Sequence, residues 1–129
     1  MKKTHIVLVV LLAGIAIGVS GCLLVAVGAG AAGTVAYVKG DLETTLDAGM
    51  DRSYGATLKT LDQLQIVPTQ KLKDSLSAEI IARRSDDTKI TVTLTRVDDN
   101  ITKMAIRVGV FGDQAQSTTI YERIKQNLK

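Results

Sequence analysis

Apolar residues are spaced in several distinct ways along this chain, and each spacing predicts a different element. From Ile6 to Val19 they run without interruption behind Lys2 and Lys3, softened only by Gly14 and Gly18. Such a run is short for a membrane span and ends in small residues, the layout of a segment that is threaded and removed. Leu23–Ala36 is also apolar and uncharged, and rich in glycine and alanine. It reads as a flexible tether, as a helix lying against a membrane surface, or, joined to Ile6–Val19, as part of one long uncleaved hydrophobic segment. Its Ala26/Gly30 and Ala29/Gly33 spacings suit helix packing in lipid, but a composition this rich in small residues produces such spacings by chance.

From Val35 the pattern changes. Val35–Leu46 holds β-branched and aromatic residues in partial alternation and predicts a first strand. Asp47–Leu64 has helical period: Met50, Tyr54, Leu58, Leu61 and Leu64 or Gln65 form one apolar stripe, with Asp51, Arg52, Lys59 and Asp62 off it. Ile66–Lys73 contains Pro68, the only proline, and predicts a connection or an edge strand, because proline has no ladder donor. Leu76–Arg83 alternates, with Leu76, Ala78, Ile80 and Ala82 on one face. Lys89–Val97 alternates again, with Ile90, Val92 and Leu94 inward and Thr91, Thr93 and Thr95 outward. Ile101–Val110 places Met104, Ile106, Val108 and Val110 inward and Lys103 and Arg107 outward. The turns between these runs are Ser85-Asp86-Asp87 and Asp98-Asp99-Asn100, so the three form an antiparallel meander with one wet face. Gly112-Asp113 then opens a helix, with Asp113 as N-cap, Gln116 returning the capping bond, and an Ile120, Ile124, Leu128 stripe flanked by Ser117 and Tyr121. Arg123, Lys125 and Lys129 suit the negative end of that helix.

These elements predict an α+β fold over residues 37–129. It is a two-layer sandwich in the order β-α-β-β-β-α, an antiparallel sheet of about four to five strands with two helices on one face. Residues 1–21 form the targeting segment and residues 22–36 the apolar tether or membrane-apposed helix.

The junction between the two apolar stretches reads Val19-Ser20-Gly21-Cys22, and Cys22 is the only cysteine. An aliphatic residue, two small residues and a cysteine at the end of a signal-like run resemble the lipobox of bacterial lipoproteins. That resemblance implies cleavage between Gly21 and Cys22, a diacylglyceryl thioether on Cys22, and acylation of the new N-terminus by a group such as palmitate. Each buried acyl CH₂ contributes about 0.8 kcal/mol, so several chains hold almost permanently. Leu23, not aspartate, follows the cysteine. By the sorting pattern of the same class this implies the outer membrane, with the domain facing the periplasm.

Composition narrows the chemistry. The chain has 129 residues and a formal net charge of +3, but Lys2 and Lys3 leave with a cleaved signal, and 14 basic side chains then face 13 acidic ones. A balance this even argues against a nucleic-acid surface, which needs a clustered basic face. An acylated Cys22 leaves no thiol for a disulfide, so the core alone must stabilise the domain. Tyr37, Tyr54, Phe111 and Tyr121 are the only aromatics, which predicts an aliphatic core. The only histidine is His5, inside the targeting segment. Ser-His-acid and Cys-His catalysis and the common zinc sites are thereby excluded for the mature chain.

Three features invite a site, and each has a plainer structural reading. Gly109-Val110-Phe111-Gly112-Asp113 is a glycine-containing turn into a helix that can offer N–H groups to an anion; Asp113 would repel one, and a structural turn with a cap is favoured. Asp86-Asp87 and Asp98-Asp99 supply carboxylates but lack the alternating spacing of a calcium loop, and solvated hairpin turns are favoured. Arg83, Arg84, Lys89, Arg96, Lys103 and Arg107 are candidates to share the wet sheet face and meet an anionic polymer or headgroup, against the plainer reading of a solvated β face. Tyr37 is a candidate for the membrane interface, with an ordinary strand tyrosine favoured.

Gly21-Cys22 with its alanine/glycine-rich continuation, Tyr37-Val38-Lys39-Gly40-Asp41-Leu42-Glu43, and the closing Ile106-Arg107-Val108-Gly109-Val110-Phe111-Gly112-Asp113 together resemble a family of small bacterial lipoproteins. That family is classified only as a domain of unknown function (family 3568). The resemblance covers nearly everything after Cys22 and implies fold and anchoring, with no activity or site residues to carry over. The expected protein is therefore a non-enzymatic, lipid-anchored cell-envelope protein without cofactor or metal. It is held to the membrane through acylated Cys22 and meets an envelope partner through the wet sheet face or the Pro68 edge. The alternative is a carrier of a small apolar ligand or lipid in a pocket between sheet and helices, which a side-chain-filled interface would argue against.

Overall fold

The computed structural model describes residues 35–129. The targeting segment, the Gly21-Cys22 junction and the stretch through Thr34 lie outside the described residues. β1 (Val35–Val38) and β2 (Asp41–Leu46) form a hairpin, and α1 (Met50–Gln63) follows. β3 (Val67–Lys73), β4 (Ser77–Arg83), β5 (Lys89–Asp98) and β6 (Ile101–Val108) form a meander, and α2 (Gln114–Leu128) closes the chain. The six strands make one open antiparallel sheet in the order β1-β2-β6-β5-β4-β3. The fold is α+β, with α2 against β2 and β6 and α1 against β3, β4, β5 and β6.

The strand count and order differ from the sequence expectation in two places. Val35–Leu46 is two strands rather than one, because Lys39 (φ 52°) and Gly40 (φ 90°) make a two-residue turn with both central residues left-handed. That geometry matches the twist of paired strands. A Cβ on Gly40 would stand 2.6 Å from the Phe111 carbonyl oxygen, so the second turn position accepts only glycine. The Pro68 segment is a full edge strand, the second of the two options. It accommodates proline at the open edge, with a shift of register between Pro68 and Gln70. Element order is thus β-β-α-β-β-β-β-α.

The alternation along the meander sorts side chains as the sequence pattern requires. Ala78, Ile80 and Ala82, Ile90, Val92 and Leu94, and Met104, Ile106 and Val108 are all buried, joined by Leu42 and Leu46 of β2. Val110 breaks the inward series and is 80 % exposed, because β6 stops at Val108 and Gly109 (φ 75°) turns the chain. Leu76 is likewise exposed: the Asp74 carboxylate accepts from the Leu76 and Ser77 N–H groups at 2.7 Å each, making a turn ahead of β4. One aromatic enters the aliphatic core, the buried Tyr121 of α2.

On α1 the buried face is centred on smaller residues than the apolar stripe suggests. Met50, Ser53, Ala56, Thr57, Thr60 and Leu61 are buried, while Tyr54, Leu58 and Leu64 pack at the rim. The buried hydroxyls find partners near and far: Ser53 Oγ and Thr102 Oγ1 donate to the Ala48 carbonyl (3.3 and 2.8 Å), Thr57 Oγ1 donates to the Ser53 carbonyl (2.8 Å), and Thr60 Oγ1 accepts from Asn127 Nδ2 of α2 (2.8 Å). Among the described residues the buried hydroxyls of Thr44 and Ser117 have no hydrogen-bond partner. Small residues let the helices pack closely, and back-bonding to the chain offsets the cost of burying their oxygens.

α1 ends in a Schellman motif. Gln65 (φ 57°) occupies the left-handed position, its N–H bonds the Asp62 carbonyl at 3.1 Å, and the Ile66 N–H bonds the Leu61 carbonyl at 2.8 Å. The buried pair Leu61 and Ile66 supplies the apolar contact of that motif. Three stability outcomes follow, all read from denaturant midpoints. Leu94→Ala, at a fully buried position, is expected to cost about 2–5 kcal/mol, whereas Thr93→Ala on the opposite face changes stability by about 0.5 kcal/mol or less. Gln65→Gly is expected to stabilise by about 1 kcal/mol, since glycine carries no penalty in the left-handed region.

Candidate functional site

The alternation that buries one side of the sheet leaves the other side open. Thr91, Thr93 and Thr95 of β5 stand between Arg107, Ala105 and Lys103 of β6 and Ile81, Glu79 and Ser77 of β4. Beyond β6, Glu43 is in register with Ala105 and Thr45 with Lys103. Arg107 Nε donates to Asp41 Oδ1 at 2.6 Å, and Lys103 Nζ reaches diagonally to Glu43 Oε2 at 3.2 Å.

Four of the six cations singled out from the sequence share this face: Arg83, Lys89, Lys103 and Arg107. Arg84 and Arg96 do not, because each stands one residue out of phase. Arg96 is in register with the buried Thr102 and pairs with Asp99, while Arg84 donates to Gln116 of α2. On the wet face itself Arg83 pairs with Asp87 at 3.1 Å, so most of the positive charge is matched locally. Lys89 makes no ion pair among the described residues.

Both acidic pairs are built into turns. Asp86 Oδ1 accepts from the Thr88 N–H at 3.0 Å and from Arg84 Nε at 3.2 Å. The Thr88 side chain and N–H, with Arg84 beside them, hold this carboxyl at about 2. Asp87 adopts φ 67° and its carbonyl and carboxylate both accept from Arg83 Nη1 at 3.1 Å. Asp98 Oδ1 accepts from the Asp99 N–H at 2.6 Å. Among the described residues no three His, Cys, Asp or Glu side chains stand together as metal ligands.

Two left-handed glycines and contacts to the β1–β2 hairpin constrain the Gly109–Asp113 turn. Gly109 and Gly112 have φ of 75° and 82°, and a Cβ on Gly112 would lie 2.6 Å from the Tyr37 hydroxyl and from Gly40 Cα. Arg107 ties the loop to the β1–β2 hairpin: Nη2 donates to the Lys39 carbonyl at 2.9 Å and Nη1 to the Val110 carbonyl at 3.2 Å. The Asp113 carboxylate accepts from the Gln116 N–H at 3.0 Å and from Gln116 Nε2 at 2.8 Å. The Gln116 N–H first, then its side chain, lowers the Asp113 carboxyl below the usual range. The return bond of the cap thus goes to the carboxylate rather than to the Asp113 N–H. This carboxylate occupies the place an external anion would take at the helix start. Val110 and Phe111, between the two glycines, are 80 % and 91 % exposed. Their exposure was legible only from the glycine on each side, since their apolar character reads as strand. Tyr37 lies in β1, partly exposed, with its hydroxyl against Gly112.

The space between sheet and helices is filled: Ile80, Val92, Leu94, Ile106 and Ile124 have no exposed surface. The clefts lie at the rim, one of about 390 Å³ between the end of α2 and the end of β2, another of about 170 Å³ between the end of α1 and the start of α2. Gly21 and Cys22 lie outside the described residues. Among the described residues no helix is long and apolar enough to cross a membrane.

An open antiparallel sheet backed by two helices, with Asp74, Asp86, Asp98 and Asp113 bonded in turns and a cap, defines a small α+β domain. Residues 5–127 match the family described as "Protein of unknown function (DUF3568)", and the chain belongs to that family. No curated protein matches the chain.

The bonded turn carboxylates set an acid limit. Asp86 ionises at about 2 in the folded chain against about 3.9 unfolded. A depressed folded value contributes stability above the unfolded pKa that is lost as pH falls through the folded one. Stability is therefore expected to decline between about pH 4 and about pH 2. Asp86→Asn flattens part of that decline, as followed by denaturant midpoints across the acid range.

Proposed function

We propose that this protein is a non-enzymatic, lipid-anchored cell-envelope protein, held through an acylated Cys22 and displaying its α+β domain as an interaction or structural module. The observation that carries the reading is Val19-Ser20-Gly21-Cys22 at the end of a signal-like apolar run, with residues 23–34 separating it from the first strand of a domain whose interior is filled. The retained surfaces are the wet sheet face, the β3 edge with Pro68, and the Val110-Phe111 loop. Leu23 after the cysteine favours the outer membrane, with the domain in the periplasm. The filled sheet–helix interface supports this module over a carrier of apolar ligands.

Intact mass of protein extracted from membranes, wild type against Cys22→Ala, tests the anchor. The expected wild-type mass is that of residues 22–129 plus acyl groups, and the variant loses both cleavage and acylation. An unmodified full-length wild-type mass would overturn the anchor and leave the apolar stretch ahead of β1, residues 6–34, as a retained hydrophobic segment.

A further inference from the structure

We propose that the Val110-Phe111 loop is a second membrane contact, in which Phe111 enters the headgroup region of an anionic bilayer and Lys39 and Lys89 flank it. A lone exposed apolar residue needs no explanation. Here two consecutive ones stand at the apex of a clamped loop, and Phe111 is the only phenylalanine of the chain. The left-handed glycines, the close approach of Gly112 to Gly40 and the three hydrogen bonds of Arg107 all fix the backbone on either side of Phe111. A backbone already fixed in place lowers the ordering cost when the exposed side chain enters another phase.

Charge identifies that phase. Lys39 sits in the hairpin turn against the loop, and the Lys89 carbonyl accepts from the Gly109 N–H at 2.8 Å. Neither lysine makes an ion pair among the described residues, whereas Arg107 is matched by Asp41, and Asp113 is engaged by Gln116. Exposed aromatic and aliphatic tips with free lysines beside them suit a lipid surface, where each cation near anionic headgroups adds attraction. The exposed apolar residues near the other end of the strands are set differently: Val97 precedes Asp98 and Asp99, and Leu76 follows Asp74. The Phe111 end also carries Asp86 and Asp87, but Arg84 and Arg83 pair with them, so Lys39 and Lys89 are its unmatched charges among the described residues.

This contact rests on the anchored reading for its proximity to the membrane. Residues 23–34 span at most about 40 Å when extended, and β6, the length of the sheet at that point, spans about 26 Å. The tether therefore lets the Phe111 end reach the bilayer that holds Cys22.

The chain contains no tryptophan, so Phe111→Trp is a sole fluorescent reporter. The full-length protein, purified from membranes, is reconstituted in vesicles of phosphatidylethanolamine and phosphatidylglycerol with or without brominated acyl chains. Val110→Trp serves as a second reporter and Val97→Trp as the control at the other end. The expected result is blue-shifted emission and quenching by brominated lipid at positions 110 and 111 but not at 97. Lys39→Gln with Lys89→Gln lowers the docked-to-undocked ratio roughly tenfold or more. Aqueous, unquenched emission from protein that floats with the vesicles overturns the loop contact and leaves the anchor standing. Emission shielded from acrylamide in native membranes but untouched by brominated lipid assigns the loop to a protein groove and overturns the lipid contact. Protein that does not float overturns the anchor and the loop contact together.

Discussion

Covering one apolar sheet face is the constraint that shapes every other element. β4, β5 and β6 each send three side chains to that face, and β2 adds Leu42 and Leu46. Burial contributes roughly 25 cal/mol per Å² of apolar surface, and with no disulfide among the described residues it is the main term. Two helices are needed because the face is wider than one helix. α2 follows directly from β6 and lies over β6 and β2, leaving the other half to α1. α1 must then carry the chain from β2, near one edge, to β3 at the other. The meander fills the gap between them, and the crossover over three intervening strands is the consequence.

The two edges left by this arrangement are protected differently. β3 carries Pro68, a register shift, Lys71 and Lys73, features that discourage pairing with another chain. Lys73 also crosses to α1, bonding Asp51 at 2.5 Å and lying 5.1 Å above the Tyr54 ring, so the edge is held down on the helix layer. β1 has none of these devices; it is Val-Ala-Tyr-Val, and its protection is brevity, at four residues.

Most of the architecture was readable from period alone. The three strands of the β4–β6 meander, the inward set Ile90, Val92 and Leu94, the acidic turns and the Asp113 cap all depend on local spacing. What escaped depends on contacts distant in sequence. The split of Val35–Leu46 needs Lys39 and Gly40 to be left-handed, and Gly40 is forced by the Phe111 carbonyl, far along the chain. The α1 stripe is displaced because Thr60 faces Asn127 of α2, a partner that periodicity within α1 does not contain. Arg84 and Arg96 left the wet face for a simpler reason: alternation assigns them to the other side, and counting cations by composition overlooked phase. The surface reading of the site was legible as a list of charges, but the pairs Arg107–Asp41 and Lys103–Glu43 depend on the β2–β6 register.

Arg107 connects the two parts of the chain that composition treats separately, the strand next to the apolar stretch and the turn into the last helix. One guanidinium serves three acceptors: the Asp41 carboxylate, the Lys39 carbonyl and the Val110 carbonyl. Asp41 raises the Arg107 pKa, first through the hydrogen bond and then through charge. A lysine ammonium is a single point donor and lacks the planar fork that reaches acceptors on separate strands. The loop geometry that turns Phe111 outward is therefore set on the wet face of the sheet. A change there moves the apolar tip without touching the buried side that holds the domain together.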